Sequence, residues 1–195
     1  DTAAFAGEPR PDALPGLVKR PGEFWIGTMA GLRSVKNLTA LVRASAPLPE
    51  FCHLVIVGEG PERDAIRAEA DRLGVGHRVH LPGFAADPAR FAGLFDIFAL
   101  SSDSEQAPIS LIEAMAAGLP VIASDWDGIK DTVDGDGGIR IPTLGARPEH
   151  GVLSAQRHFG GTDNYIQYLS QNSAITRIDV AAMSQAIAAL ATDPD

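Results

Sequence analysis

The chain has 195 residues, and its 25 acidic side chains outnumber its 16 basic ones, which gives a formal charge of −9. This balance argues against a nucleic-acid-binding protein, because such binding depends on neutralising phosphates with Lys and Arg. The single cysteine, Cys52, excludes an intramolecular disulfide and a CxxC metal site. Because it stands beside an apolar run, we expect a buried, unreactive thiol.

Length and hydropathy limit the kind of protein further. At about 100–200 residues per domain, the length predicts one large domain, or one domain with a small appendage. No apolar run approaches the roughly 20 residues of a membrane span, and no secretory leader opens the sequence, which begins at Asp1. These features predict a cytoplasmic fragment of something longer.

Residues 24–142 alternate strand-like and helix-like segments. The expected strands are short apolar runs, at 24–28, 54–57, 78–81, 96–100, 121–124 and 138–141. The expected helices are periodic or follow turn signals, at 37–46, from Pro61 to a stop at Gly74, and at 87–94, 109–117 and 128–133. Strands separated by single helices need crossovers, so the sequence predicts an α/β fold, a Rossmann-like doubly wound parallel sheet.

The end of the chain departs from this rhythm. Residues 143–178 are rich in Gly, Gln, Asn, His and Thr, which predicts an irregular excursion with a weak helical tendency near 165–169. Residues 179–195 carry an apolar stripe and are expected to form a C-terminal helix of the same domain.

Ligands of open parallel sheets bind beyond the carboxyl ends of the strands, so residues that follow strands are the candidates. Arg33 and Lys36 follow the first strand, where they are either two cations that hold a diphosphate or solvated surface charges. Gly58 and Gly60 follow the second strand and allow close approach of a ligand, or simply form a turn. Arg63 replaces the third glycine of a dinucleotide fingerprint, so NAD binding is rejected.

Two glutamates, Glu105 and Glu113, stand eight residues apart around the start of the helix at 109–117. If Pro108 is the first helical residue, the amides of residues 109–111 are free to bind phosphate oxygens. Glu113 lies on the same face of an apolar helix, where an unpartnered carboxylate is costly. A vicinal diol such as a ribose would satisfy it, and a bond to a neighbouring backbone group or arginine is the alternative.

The segment Glu105-Gln106-Ala107-Pro108-Ile109-Ser110-Leu111-Ile112-Glu113 resembles the glutamate-x7-glutamate signature of family-4 retaining glycosyltransferases. Further blocks match that family in the same order, at 26–27 with 36–38, 54–61, 79–84 and 96–102. The resemblance covers about residues 24–142 and implies the C-terminal, donor-binding half of a GT-B fold. It also implies that residues 1–23 derive from the interdomain linker.

The resemblance assigns roles to residues by position. Glu105 is implied to contact the donor sugar, and Lys36 is implied to neutralise the diphosphate. The family's arginine five residues before the lysine falls at Gly31, which leaves Arg33 as its substitute. Gln106 stands where the family has glycine.

Further residues are implied to bind the nucleotide-sugar. They follow strands or begin one helix, and they are Gly58, Phe84, Pro108, Ile109, Ser110 and Glu113. In the resemblance, Glu113 holds the ribose, and the amides of Ile109 and Ser110 touch the diphosphate. Phe84 lies in the loop that lines the base.

No metal or other cofactor is expected. Asp125-Trp126-Asp127 imitates the DxD motif of another glycosyltransferase fold, but it follows a strand where the resembled family uses no metal. The five histidines show no ligand spacing.

The expected function is the donor-binding part of a retaining, metal-independent glycosyltransferase that transfers a sugar from a nucleotide-sugar. An N-terminal acceptor-binding domain would be its partner and is absent from these residues, so the isolated chain is expected to be inactive. Two alternatives stay open: a GT-B-fold nucleotide-sugar epimerase, and a non-catalytic donor-domain fragment.

Overall fold

A computed structural model describes residues 2–105, 107–126, 128–133, 137–144, 160–161 and 177–192. The parallel strands of this part are β1 (Phe24–Met29), β2 (Cys52–Val57), β3 (Val79–Gly83), β4 (Ile97–Leu100), β5 (Val121–Ser124) and β6 (Ile139–Ile141). Its α-helices are α1 (Leu38–Ser45), α2 (Arg63–Arg72), α3 (Ile109–Ala116), α4 (Ile129–Thr132) and α5 (Val180–Thr192). The strands form one sheet in the order β3-β2-β1-β4-β5-β6, which confirms the predicted doubly wound fold.

The apolar runs in the sequence become strands that are buried on both faces. Successive side chains of a strand point to opposite faces of the sheet. In β2, Leu54 and Ile56 therefore join the core beneath α1, α2 and α5. Val55 and Val57 join a second core beneath α3 and α4. A strand with a core on each side needs an unbroken apolar sequence, as residues 54–57 of β2 have.

The helix predicted to begin at Pro61 begins instead at Arg63. The preceding turn is bonded to the loop after β1, because Leu32 N–H donates to Glu59 O at 2.9 Å and Glu62 N–H donates to Leu32 O at 3.0 Å. These cross-loop bonds delay the first helical turn. The predicted stop is confirmed, since Gly74 adopts a positive φ of 74° just after the helix.

The single helix predicted for residues 87–94 is wrong. Two short 3₁₀ turns, Pro88–Arg90 and Ala92–Leu94, replace it, with Phe91 between them at φ −132°. Phe91 and Phe95 are both buried and meet edge to face at 6.1 Å between ring centroids. Both rings lie in the same core, and the non-helical φ values of Asp87, at 60°, and of Phe91 interrupt the helix.

The flanking segments add small elements. Residues Thr2–Ala6 form a 3₁₀ helix that packs on α3. Strands β7 (Thr143–Leu144) and β8 (Arg177–Ile178) pair antiparallel at the two ends of the predicted excursion, and the helical tendency near 165–169 lies outside the described residues. A helix is present in the predicted C-terminal region as α5, which Asp179 caps by accepting the amides of Ala181 and Ala182, and residues 193–195 lie outside the described residues.

No helix within the described residues is both long enough and apolar enough to cross a membrane.

Candidate functional site

The sheet order creates a crevice between β1 and β4. The chain leaves β1 for α1 on one face and leaves β4 for α3 on the other. Because the two connections diverge, the carboxyl ends of β1 and β4 stand open between them, and this switch point is where such sheets bind ligands.

The loops after β1 and β4 are joined by hydrogen bonds. Ser101 Oγ lies 3.0 Å from Lys36 O and 3.1 Å from Asn37 O. Asn37 Nδ2 donates to Asp103 Oδ1 at 2.8 Å, and Asp103 N–H donates to Val35 O at 2.9 Å. The two loops therefore form one framework, and the side chains that they carry have fixed relative positions.

Lys36 and Glu105 form an ion pair across this junction through Lys36 Nζ and Glu105 Oε1. Their side chains are only 14% and 15% exposed. The Glu105 carbonyl also accepts the Gly128 amide at 2.8 Å, which ties this loop to the one after β5. The structure thus brings together two of the three residues that the sequence nominates as catalytic.

Arg33, the third, is exposed and is not part of that ion pair. Its Nε lies 3.6 Å from the point that a Cβ on Gly31 would occupy. The Arg33 side chain therefore passes beside the position from which an arginine at residue 31 would start.

The start of α3 differs in part from the prediction. Pro108 caps the helix rather than forming its first residue, and its carbonyl accepts the amides of Leu111 at 3.0 Å and Ile112 at 3.2 Å. The amide of Leu111 is therefore not free. Those of Ile109 and Ser110 have no acceptor among the described residues. Two donors, rather than three, are available here.

Glu113 lies one turn into α3 and is half-buried. It lines a cleft of about 190 Å³ with Phe5 of the N-terminal 3₁₀ helix and with Ile109 and Ile112 of α3. Burial in these surroundings raises the pKa of the Glu113 carboxyl above its ordinary value. Within the described part of the chain, no hydrogen-bond or ion-pair partner offsets that burial.

Backbone packing explains the two glycines after β2. A Cβ on Gly58 would collide with the Ala30 carbonyl oxygen, and one on Gly60 would stand 2.5 Å from Leu32 O. Both residues also have positive φ, at 144° and 156°. The close approach that they permit is to the chain's own loop after β1, and a ligand contact at Gly58 stays a prediction.

Phe84 follows β3 and leaves 68% of its surface exposed. A large aromatic ring that extends from the carboxyl end of a strand is available to stack on a planar ligand.

The DxD-like segment is described only in part. Asp125 is exposed and lies 3.5 Å from Arg140 Nη1, whereas Asp127 lies outside the described residues. His53 and His80, on neighbouring strands, stack with their ring nitrogens 2.9 Å apart, and burial lowers the pKa of both. In the described ranges, no three His, Cys, Asp or Glu side chains are grouped as metal ligands.

The sequence analysis did not nominate Ser101 and Asp103. A signal was present, since Ser101, Asp103 and Glu105 alternate directly after an apolar strand. An extended chain places alternate side chains on one side, and here all three reach the loop after β1.

Comparisons with known proteins agree with this architecture. A family model described as "Glycosyl transferases group 1" matches residues 23–149. The lipopolysaccharide core biosynthesis glycosyltransferase LpsE of Rhizobium meliloti is 33% identical over 107 residues, which cover 54% of this chain and 31% of LpsE. This chain therefore spans about a third of the length of that relative.

Solved structures show the same fold. Anabaena HepE in complex with UDP and glucose superposes with a TM-score of 0.58 at 24% identity, over 88% of this chain and 45% of HepE. The C-terminal domain of LpcC, a glycosyl transferase group 1 family protein from Francisella tularensis, superposes with a TM-score of 0.57 at 20% identity. That match covers 98% of this chain and 96% of the LpcC domain.

Proposed function

This chain belongs to the group 1 glycosyl transferases, and we propose that it forms the nucleotide-sugar-binding part of a retaining, family-4 enzyme. The observation that carries the proposal is the Lys36–Glu105 pair, which joins the loops after β1 and β4 at the switch point. A cation and a carboxylate held there, beside the start of α3, are suited to a diphosphate and to sugar hydroxyls.

The diphosphate would be held by Lys36 and by the amides of Ile109 and Ser110, with Arg33 adding charge in place of the missing arginine at residue 31. Lys36 supports this role because it is nearly buried, and a partly dehydrated cation binds phosphate more strongly than a solvated one. When phosphate oxygens take over Lys36, Glu105 is released to accept hydroxyl groups of the donor sugar.

The ribose would be bound by Glu113. A half-buried carboxylate with a raised pKa and no partner in the described residues has unused acceptor capacity. Two ribose hydroxyls would each donate to one of its oxygens, which recovers the hydrogen bonds lost on burial. Phe84 is placed to cover the base.

The chemistry that follows is transfer of the sugar with retention and without a metal ion. As the bond from the sugar to the diphosphate breaks, negative charge grows on the departing diphosphate. Lys36 and the two α3 amides stabilise that charge, which is electrostatic catalysis by preorganised groups rather than attack by a covalent enzyme nucleophile.

Residues 1–195 alone are proposed to be inactive in transfer. LpsE is about three times as long as the segment it shares with this chain, and a second domain would supply most of the acceptor site. Holding donor and acceptor in line accounts for a large part of such a rate. The cytoplasmic location expected from the sequence stays a prediction.

Calorimetry tests the proposal with UDP, GDP and ADP, each measured with and without EDTA. We expect one nucleotide to bind equally well in both conditions. We expect Lys36→Met to weaken that binding about tenfold or more, since a charge-assisted bond contributes roughly 1.5–3 kcal/mol. Lys130→Met, which removes an exposed lysine on α4, is the matched control and should bind as the wild type does.

Two results would contradict the proposal. A strict need for Mn²⁺ or Mg²⁺ would return Asp125 and Asp127 to consideration as metal ligands. Equal loss of affinity in the Lys36 and Lys130 variants would show that Lys36 has no specific role in binding the diphosphate.

A further inference from the structure

A second and larger cleft, of about 480 Å³, opens on the other side of the loop that carries Lys36. Its walls come from the starts of α1 and α2, from the loop after β4 and from Arg177 of β8. The cleft around Glu113 lies against α3, which covers the opposite face of the sheet. Arg33 is the donor-site residue that also lines this second cleft, and Lys36, Glu105 and Glu113 do not line it.

The charges that line this second cleft cancel. Among the described residues, Arg33 and Arg177 line the cleft together with Glu62 and Asp103, so the formal charges of these four side chains cancel. Balanced charges give the cleft no net attraction for inorganic phosphate or for a polycation. The lining therefore fits a neutral ligand with many polar groups.

Asp103 is held as a hydrogen-bond acceptor in this cleft. Its Oδ1 accepts from Asn37 Nδ2 at 2.8 Å, and its Oδ2 lies 3.8 Å from Arg177 Nη1. Burial raises the pKa of the Asp103 carboxyl, while the Asn37 bond and Arg177 act in the opposite direction. A carboxylate oriented by two neighbours can accept a ligand hydroxyl with little loss of side-chain entropy.

The cleft also has an apolar wall. Val35 lines it and is 37% exposed, and Thr39 adds a hydroxyl that donates or accepts. Sugars present an apolar ring face and hydroxyls that both donate and accept. The volume lies within the roughly 300–1,000 Å³ typical of small-molecule sites.

We propose that this cleft binds a neutral saccharide portion of the acceptor. It adjoins the donor site, because Arg33 belongs to both and because Asp103, which lines the cleft, is two residues from Glu105. A saccharide bound here rests on the same two loops that hold the Lys36–Glu105 pair. Its role as acceptor rests on the proposed function, whereas binding of the saccharide can be measured by itself.

The test is a titration of the ¹⁵N-labelled chain, followed by amide NMR, with the neutral trisaccharides maltotriose, cellotriose and N,N′,N″-triacetylchitotriose. Inorganic phosphate and UDP are titrated separately. We expect at least one trisaccharide to shift the amide resonances of Thr39 and Ile66 in a saturable manner. We expect phosphate to leave both resonances unshifted.

Two variants in the cleft and one control variant locate the binding. Thr39→Trp fills the cleft and should weaken trisaccharide binding tenfold or more while UDP affinity is retained. Thr192→Trp places the same side chain at the exposed end of α5 and should change neither. Glu62→Gln, which removes one carboxylate without adding bulk, should weaken trisaccharide binding severalfold even if the tryptophan variant at residue 39 fails to fold.

The outcomes separate this inference from the proposed function. If UDP binds and no trisaccharide shifts the two amides, the saccharide cleft is wrong and the donor site stands. Trisaccharide binding that survives both Thr39→Trp and Glu62→Gln, or saturable shifts of the same amides by phosphate, would also overturn it. If a trisaccharide binds and no nucleotide does, the proposed function fails and the acceptor role fails with it.

Discussion

The two ends of the parallel sheet carry similar charged side chains in different surroundings. At the amino end, Asp96 accepts the Trp25 amide and lies 2.6 Å from Lys19 Nζ. Lys19 Nζ also donates to Leu94 O at 3.0 Å. Arg78, only 4% exposed, donates from both Nη atoms to backbone carbonyls there, while its Nε has no hydrogen-bond partner among the described residues and lies 3.8 Å from a Glu50 oxygen.

At the carboxyl end, Lys36 and Glu105 have each other as side-chain partners. Glu113 and the hydroxyls of Thr28 and Ser102 have no hydrogen-bond partner among the described residues. The charged groups at the amino end thus bond mainly to the protein's own backbone, whereas those at the carboxyl end keep capacity for a ligand. Residue type alone does not separate a structural charge from a binding one, because the difference lies in what surrounds it.

The largest effect is expected on the free energy of unfolding, when a charged residue at the amino end of the sheet is removed. Arg78→Ala should lower the free energy of unfolding by about 3 kcal/mol, because it strips donors from the carbonyls of Ser45, Ala46 and Cys52 and leaves a cavity. Urea denaturation measures this. Arg90→Ala, at an exposed arginine, should change stability by less than about 0.5 kcal/mol.

If the two ends are as different as proposed, the Arg78 variant keeps normal nucleotide affinity in its folded fraction. A loss of affinity that exceeds the loss of folded protein would contradict this separation.

At the carboxyl end, Glu113→Gln should reduce nucleotide affinity about tenfold or more, since it weakens a charge-assisted bond of roughly 1.5–3 kcal/mol. Stability should stay level or rise slightly, because the substitution removes a charge that burial disfavours. Calorimetry and thermal melting measure the two effects, with exposed Glu8→Gln as the control. Unchanged affinity would show that the ribose assignment is wrong.

The same residue predicts a pH dependence. Because the pKa of Glu113 is raised by burial, its carboxylate is protonated at a higher pH than an ordinary glutamate. Nucleotide affinity should therefore begin to fall above the ordinary pKa of 4.5 as the solution is acidified, and the Glu113→Gln variant should lack this step. An identical acid limb in both proteins would assign the step to another group.

A smaller effect is expected for the ion pair itself. Glu105→Gln should raise affinity for the free nucleoside diphosphate about threefold. In the wild type, binding must first break the Lys36–Glu105 ion pair, which contributes up to roughly 1 kcal/mol, and the variant lacks that pair. Calorimetry with the nucleotide that binds the wild type measures this. Weaker binding of free diphosphate would mean that Glu105 positions Lys36 rather than competing with the ligand.

The smallest effect should lie away from both ends, at Glu69 on α2. Bonds from Arg72, and secondarily from Arg43, lower the pKa of this carboxyl to about 2. A lowered pKa contributes stability above the ordinary 4.5, and that stability is lost as the pH falls towards about 2. Because Arg72 is well exposed, Glu69→Gln should cost only about 0.5 kcal/mol at pH 7.

Thermal melting of both proteins from pH 7 to pH 2 checks this prediction. The difference in melting temperature should shrink to nothing across that window. A constant difference would show that Glu69 acts through packing rather than through its charge.

Local patterns in the sequence determined the strands, the parallel sheet and the edge of the sheet that carries the candidate site. Unbroken apolar runs such as 54–57 specify strands with a core on each face, and the alternation with helices specifies a parallel sheet. Parallel strands end at one edge, so Lys36 and Glu105 were predicted at the same edge. These features depend on residues close together in the chain or on general rules of chain geometry.

Only the tertiary structure decided the features that depend on distant contacts. The strand order sets β1 beside β4 and so joins Lys36 to Glu105, and the cross-loop bonds of Leu32 start α2 at Arg63. The predicted helix at 87–94 is interrupted where Asp87 and Phe91 take non-helical φ values and the Phe91 ring enters the core. Each outcome was settled by partners far along the chain, whose packing and hydrogen bonds outweigh the modest preferences that a local sequence carries.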